Sequence, residues 1–466
     1  MPPRALRCSS RHHPVFNQAA FRCLHTSRPG HASLSTTAPD QAASAPLLPK
    51  DFFPKHKPTS SSLACLPLSQ VVRTYLITSL SASPLLLSTC SKILLRFLDS
   101  KSWLTDVERN PVLKLILRET FYKQFCAGEN KDAVRETMKI QEKVGFHGVM
   151  LEYALEVLKD AKGADEVKDV EVWRRGLLDS VDAARPGDFV GLKWSGLGAA
   201  ALQLLKAGKE PSPLMESAIR EVCDAAYAKN VRLLPASEET TTTPTIDKWT
   251  LDLQRKYNRG PAGSIVYNTY QAYLKDMPNV LSRHLADAKK EGYTFGAKLV
   301  RGAYLDHEPR DLIWATKEET DAAYDFMALA LVKNKYEGLV QPVDPNNTEF
   351  PDVHVVIATH NAASTRKTVE IRRQQMMNNE RLVPLVYAQL QGMADEVSCE
   401  LLAAGRESAY VPQVYKLSAW GTMKQCLNYL LRRAAENKDA AGRTHESRDA
   451  MAQELRRRAR AAFRLA

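Results

Sequence analysis

The stretch TFGAKLVRGAYLDHEPR, residues 294–310, alternates in its first half. Phe295, Ala297 and Leu299 fall on one face of an extended chain, and Gly296, Lys298 and Val300 on the other,. Neither set carries the polar run of a solvent-facing edge, so the segment reads as a strand covered on both faces, the condition of a parallel sheet. Lys298 is then a cation on a covered face. An ammonium in such a place is costly unless an anion or a dipole meets it. Arg301 and Tyr304 follow just where the strand ends.

Seven further runs of the same kind surround it: FHGVMLEY (146–153), DFVGLKWS (188–195), NVRLLPAS (230–237), GSIVYNTYQAY (263–273), VHVVIATHN (353–361), RLVPLVYAQLQG (381–392) and YVPQVYKLSAW (410–420). Helix-compatible segments, such as 212–229, separate most of them. Eight alternating units are the number that closes an α/β barrel of the (βα)8, TIM type. An open doubly wound sheet would be favoured by GxGxxG or GxxxxGK[ST] after the first strand, and the chain contains neither,. In a barrel, chemistry gathers where strands end. Lys193, Gln271, Arg301, Tyr304, Thr359, His360 and Asn361 all stand at or just past such ends,.

The 466 residues carry a formal net charge of +11, but the excess sits near the termini. Residues 1–39 hold five arginines and no acid, and the far end adds Arg456, Arg457, Arg458, Arg460 and Arg464. The middle is nearly balanced, which speaks against a nucleic-acid groove. An Arg-rich, Ser/Thr-rich, acid-poor leader without an apolar core is the composition of a mitochondrial transit peptide, assigned to residues 1–45. A Pro/Ser-rich linker (46–67), an N-terminal helical arm (68–145), the barrel (146–440) and a basic C-terminal helix (441–466) follow. Within the arm, NKDAVRETMKIQEKV (130–144) has the 3.6-residue period of an amphipathic helix,. The uncharged run 74–91 is diluted by Ser, Thr and Pro84 and falls short of a membrane span,. It reads as an arm helix, with contact at a membrane surface as the alternative. Eight scattered cysteines show neither CxxC nor metal-like spacing with His, so no metal site is expected,.

Two motifs suggest ligand chemistry. ATHNAAS (358–364) delivers Thr359, His360 and Asn361 to the end of an apolar strand, where a following helix offers backbone N–H groups; the same letters also suit an Asx turn and helix cap,. YLLRRAAEN (429–437) puts Tyr429, Arg432, Arg433 and Glu436 at i, i+3, i+4 and i+7, one helix face,. Two guanidiniums can clamp a carboxylate while Glu436 orients one of them.

RETFYKQFCAGE (118–129), KLVRGAY (298–304), ATHN (358–361), QLQGM (389–393) and YLLRRAAEN, in this order, resemble the mitochondrial proline dehydrogenase family over residues 110–439. The resemblance implies a distorted (βα)8 barrel holding FAD, which takes a hydride from L-proline to give pyrroline-5-carboxylate and passes electrons to a membrane quinone at the matrix face of the inner mitochondrial membrane. It implies roles as well. Lys298 would lie beside the flavin, with Gln271, Arg301, Gly302, Ala303, Thr359, His360 and Asn361 as further cofactor contacts. Tyr304 and Leu390 would wall the pocket. Lys193, Arg432 and Arg433 would hold the substrate carboxylate, with Tyr429 against the ring and Glu436 behind an arginine.

Two positions depart from the family. Its Asp-Ala-Glu triplet at the end of the third strand is Ala236, Ser237 and Glu238 here, and a pocket tyrosine before the last barrel helix is Leu417. Two other readings therefore stay open: a catalytically impaired barrel serving as a binding or regulatory protein, and an aldolase using Lys298 as a Schiff-base nucleophile.

Overall fold

The computed structural model describes residues 61–99, 102–155, 165–406, 408–436 and 441–463. The leader, and most of the linker, lie outside the described residues. Eight parallel strands are formed by Gly148–Tyr153 (β1), Phe189–Leu192 (β2), Arg232–Pro235 (β3), Asn268–Gln271 (β4), Phe295–Val300 (β5), Val353–Ala358 (β6), Leu385–Leu390 (β7) and Gln413–Trp420 (β8). They run in the order β3-β2-β1-β8-β7-β6-β5-β4. The remaining seam, β3 to β4, is held by an isolated bridge, Leu233 to Val266. Leu233 N–H donates to Ile265 O (2.6 Å), Tyr267 N–H to Leu233 O (3.0 Å), and Thr269 Oγ1 to Pro235 O (2.6 Å).

The seam is thin because the run 263–273 is not extended throughout. Ile265 N–H and Val266 N–H both donate to the side chain of Asn258 (2.9 Å each), and Ser264 N–H to the ring of His354 (3.3 Å). Side chains thus take donors that a ladder would use, and only Asn268–Gln271 is left as regular strand,.

Alternation sorts the side chains as the opening stretch implies. Phe295, Ala297 and Leu299 are fully buried in the shell between sheet and helices. Met150, Phe189, Leu234, Tyr267, Val356, Val386, Ala388 and Tyr415 fill the lumen. Phe189 meets the rings of Tyr267 and Tyr415 edge-on, each centroid 5.4 Å away,. Gly296 is glycine for a local reason: a Cβ would stand 2.5 Å from Val266 O. Lys298 lies in register with Thr269 on one side and Val356 on the other, which puts it on the lumen face, beside Val356 of that plug.

The amphipathic segment of the arm becomes the helix Lys131–Val144, started by Asn130, whose side chain accepts from Ala133 N–H, and stopped by Gly145 at φ 111°,. Upstream, the helices Leu68–Ser81 and Pro84–Asp99 meet at 101°. Leu68–Ser81 packs along the C-terminal helix Ala441–Ala462. There Glu454 is buried; burial alone would raise its pKa, but pairing with Arg457 (2.7 Å) and Arg458 (2.6 Å) outweighs that and lowers it to about 2,. Arg458 also donates to Leu66 O (2.8 Å). Part of the basic cluster therefore holds the arm in place.

Candidate active site

The loops that leave the strands converge in two groups. In the first, Glu238, after β3, is buried and accepts from Ser195 N–H (3.0 Å), while its carbonyl accepts from Gln271 Nε2 (2.9 Å). Tyr304 O–H donates to Ser237 O (3.1 Å), and the Lys193 carbonyl accepts from Trp173 Nε1 (2.9 Å). Lys193, Gln271 and Tyr304 thus stand around one knot at the ends of β2, β4 and β5. Ala236 continues β3, its N–H bonded to Leu192 O (2.7 Å). Glu238 is committed to the backbone of Ser195.

Gly302 turns the chain at φ 143°, where a Cβ would lie 2.4 Å from the Tyr273 ring, so no larger residue fits,. Ala303, beside it, is half-buried. Glu308 is a residue that sequence reasoning missed. It is buried, accepts from Thr240 N–H (2.8 Å) and Tyr273 O–H (3.3 Å), and so pins the β5 loop to the β3 loop.

Arg301 forms the second anchor. Its guanidinium donates to Asp321 (2.6 Å), Thr359 Oγ1 (2.7 Å) and Ser364 Oγ (2.9 Å), and lies over the Tyr324 ring at 4.2 Å,. Asp321 is drawn down from its ordinary range: burial pushes it up, and Lys317 together with Arg301 more than reverses that. Thr359 also accepts from Asn361 N–H (3.0 Å). Asn361 caps the helix Ala362–Met377, accepting from Ala363 and Ser364 N–H. So Arg301, Thr359 and Asn361 are tied chiefly to one another and to their supporting helices. One signal was available for Asp321: with Asp325 it makes an i, i+4 acidic face, and Asp325 accepts from Ser364 Oγ (2.5 Å).

His360 Nε2 accepts from Leu390 N–H (3.1 Å) and lines a cavity of about 410 Å³ with Leu390, Leu417 and Tyr429. Leu390 and Leu417 are register partners in β7 and β8. The helix Met423–Glu436 carries the arginine motif away from β8, and the side chains of Arg432, Arg433 and Glu436 lie outside the described residues. The motif 118–129 contains a five-residue π turn, Arg118–Tyr122, and pairs alongside β8 through an isolated parallel bridge from Cys126 to Ala419,. Tyr122 O–H donates to Gly421 O (2.8 Å), and Gln391 Nε2 to Cys126 O (3.0 Å).

At the end of β4, Gln271 Oε1 is buried and has no hydrogen-bond partner among the described residues. It follows Thr269, the neighbour of Lys298, by one pleat. A buried acceptor left in this condition costs about 1–3 kcal/mol, so its place on the lumen side of a barrel mouth suits a polar group supplied by a ligand.

Behind β4, Asp247 accepts from Asn268 Nδ2 (2.8 Å). Burial raises its carboxyl to about 7, the hydrogen bond opposing only in part. The native state then holds a proton that the unfolded chain has lost, so stability declines as pH climbs from the ordinary carboxylate value to about 7,. Asp247→Asn is expected to match the parent near pH 4 and to exceed it by roughly 2–4 kcal/mol at pH 8. Urea unfolding at several pH values measures this; a difference independent of pH would contradict a proton on Asp247.

A protein-family profile described as proline dehydrogenase matches residues 116–446. The chain belongs to the proline dehydrogenase family. It is 30% identical over 465 aligned residues to proline dehydrogenase 1, mitochondrial, of Arabidopsis thaliana, covering 86% of this chain and 88% of that one. It is 35% identical over 244 residues to the probable mitochondrial proline dehydrogenase of Schizosaccharomyces pombe, covering 51% and 49%, and 29% identical over 393 residues to a hydroxyproline dehydrogenase of Bos taurus, covering 74% and 82%. The match to the fission-yeast protein spans only about half that protein's length. The barrel resembles proline utilization A (PutA) from Bdellovibrio bacteriovorus, with a TM-score of 0.57 at 18% identity, covering 80% of this chain and 41% of the other. That similarity supports the fold, the (βα)8 barrel that the eight sequence runs imply for this proline dehydrogenase family member.

Proposed function

We propose that this chain is a mitochondrial, FAD-dependent proline dehydrogenase that oxidises L-proline to pyrroline-5-carboxylate, the first step of proline catabolism, and delivers the electrons to a quinone of the inner membrane. The observation that carries the reading is the pairing of an unsatisfied, buried Gln271 carbonyl oxygen with the lumen-facing Lys298 at the mouth of a family barrel. Gln271 and Lys298 would hold FAD, with His360 and the Gly302–Ala303 turn beside it, and the bound flavin would supply the hydride acceptor. Arg301, Thr359 and Asn361 support the reading at one remove, as the scaffold that fixes the mouth.

Substrate would enter with its carboxylate toward Lys193, Arg432 and Arg433, while Tyr429 and Leu390 cover its ring and keep water out. Leu417 gives this wall an apolar surface and no hydroxyl, and the absent acid at Ala236 leaves the substrate amine to lose its proton to solvent before binding. The test is spectroscopic. Purified protein should show flavin absorbance that bleaches on anaerobic addition of L-proline, and trans-4-hydroxy-L-proline, tried in parallel, decides between the two substrates named among its relatives. Arg432→Ala is expected to raise the proline concentration for half-maximal bleaching about ten- to hundredfold. A colourless protein, or a flavin that neither imino acid bleaches, ends this assignment.

A further inference from the structure

The sulfurs of Cys65 and Cys399 lie 3.4 Å apart although 334 positions separate them in the chain. Cys65 ends the 3-10 turn Ser62–Cys65, which leads into the helix Leu68–Ser81. Cys399 belongs to the helix Asp395–Arg406. It stands four residues after Asp395, so it shares the face that grips the buried Lys416 at 2.8 Å,. Both supports are fixed. Arg458 of the C-terminal helix donates to Leu63 O (3.1 Å) and Leu66 O (2.8 Å), on either side of Cys65, and Gln70 donates to Asp395 (3.0 Å). The sulfur contact is therefore a junction between the arm and the barrel, held from both sides, and a bonded pair at about 2.05 Å is a short approach away.

The two thiols have unequal surroundings. Cys399 is fully buried, whereas Cys65 is half-buried and open to a small oxidant. A hydrogen bond from Cys399 draws the Cys65 thiol down to about 7, with Arg406 helping and burial and Asp395 opposing. The same bond, together with burial, pushes Cys399 well above its ordinary value, and Lys416 offsets this only in part. Near neutral pH, Cys65 supplies the thiolate and Cys399 keeps its proton. The pair Cys126 and Cys426 also interact, but both are buried, and burial pushes the first of them up. That pair is sealed from an oxidant where the first pair is not.

We propose that a peroxide converts Cys65 and Cys399 to a reversible disulfide, and that this bond latches the N-terminal arm to the barrel. The Cys65 thiolate attacks one peroxide oxygen, the O–O bond breaks, hydroxide leaves, and Cys65 becomes a sulfenic acid. The Cys399 sulfur then attacks the Cys65 sulfur, the S–O bond breaks, and the oxygen leaves as water with the Cys399 proton. The hydroxide takes up the proton that Cys65 had released, so the peroxide ends as two waters and the thiols have lost two electrons. The latch reaches the cavity because Thr74 and Ile77, on the helix behind Cys65, line it together with Leu390 and Leu417. It needs neither flavin nor substrate, so it stands apart from the functional reading above.

The test treats the full chain with a small molar excess of hydrogen peroxide and follows it by mass spectrometry of unreduced digests and by hydrogen exchange. The wild type should give one cross-linked pair of peptides, carrying Cys65 and Cys399, that dithiothreitol dissolves. Oxidation should slow amide exchange along Leu68–Ser81 about tenfold and raise the melting temperature by about 5 °C. Cys65→Ser, at the half-buried position, should show none of these responses to peroxide. Cys399→Ala, which removes the partner, should keep the Cys65 sulfenic acid long enough for dimedone to capture it. A wild type whose Cys65 passes to the sulfinic acid without a cross-link overturns the proposal, and so does a Cys65 that bonds Cys8, Cys23 or Cys90 in preference to Cys399. A Cys65–Cys399 bond that leaves exchange along the arm unchanged overturns the latch.

Discussion

Replacing Lys298 by methionine is expected to slow proline-dependent flavin reduction by about 10²–10³-fold, with a far smaller change in the proline concentration for half-maximal rate. The ammonium sits on the lumen face of β5 between Thr269 and Val356, only 8% exposed, so its field acts in a site screened from water,. Under the proposed reading a flavin held there would supply the hydride acceptor, and the Lys298 cation would stabilise the negative charge of its reduction more than the ground state. Methionine keeps the length and most of the packing and removes the charge. Lys298→Arg separates the two chemistries that a lysine in this place allows. An electrostatic role tolerates arginine with a modest loss, whereas a Schiff-base nucleophile does not. Rapid-mixing absorbance on variants of matched flavin content reads the outcome. A methionine variant as fast as the wild type would remove Lys298 from the reaction.

How far the site was legible depends on the reach of each interaction. Period-two alternation needs only neighbours, so Phe295, Ala297 and Leu299 could be set against Lys298 from six letters, and the eight strands with their polar ends followed. The run 263–273 misled because its apolar letters fit a strand while Asn258, several residues upstream, captures two of its N–H groups. THN carried two meanings, and the fold uses both: Asn361 is the helix cap that its letters permit, while His360 lines the cavity. Glu308 carried no signal, and the acidic face that marks Asp321 did not name its partner. Thr240 lies 68 residues from the first, and Arg301 lies 20 from the second across a loop, distances at which one sequence gives no pairing signal.

Asp395→Ala is expected to destabilise the protein by about 3–5 kcal/mol. Asp395 opens the helix Asp395–Arg406 and is 1% exposed; Lys416, on the outer face of β8, is 2% exposed. Their charged atoms are 2.8 Å apart. The rest of the node is satisfied: Lys416 Nζ donates to Ser398 Oγ (2.7 Å) and Met393 O (3.1 Å), and Gln70 Nε2, from the N-terminal helix, donates to the other Asp395 oxygen (3.0 Å). Alanine would leave an ammonium buried without its counter-charge, and that penalty, more than the lost attraction, sets the size of the effect. Removing both charges should therefore cost less than removing one. Asp395→Ala/Lys416→Met is expected to recover at least about 2 kcal/mol over the single variant. Because Met393 and Asp395 both line the cavity and Gln70 belongs to the helix that roofs it, the single variant should also loosen the arm, read as faster hydrogen exchange along Leu68–Ser81,. Losses that simply add in the double variant would show that the two groups act independently.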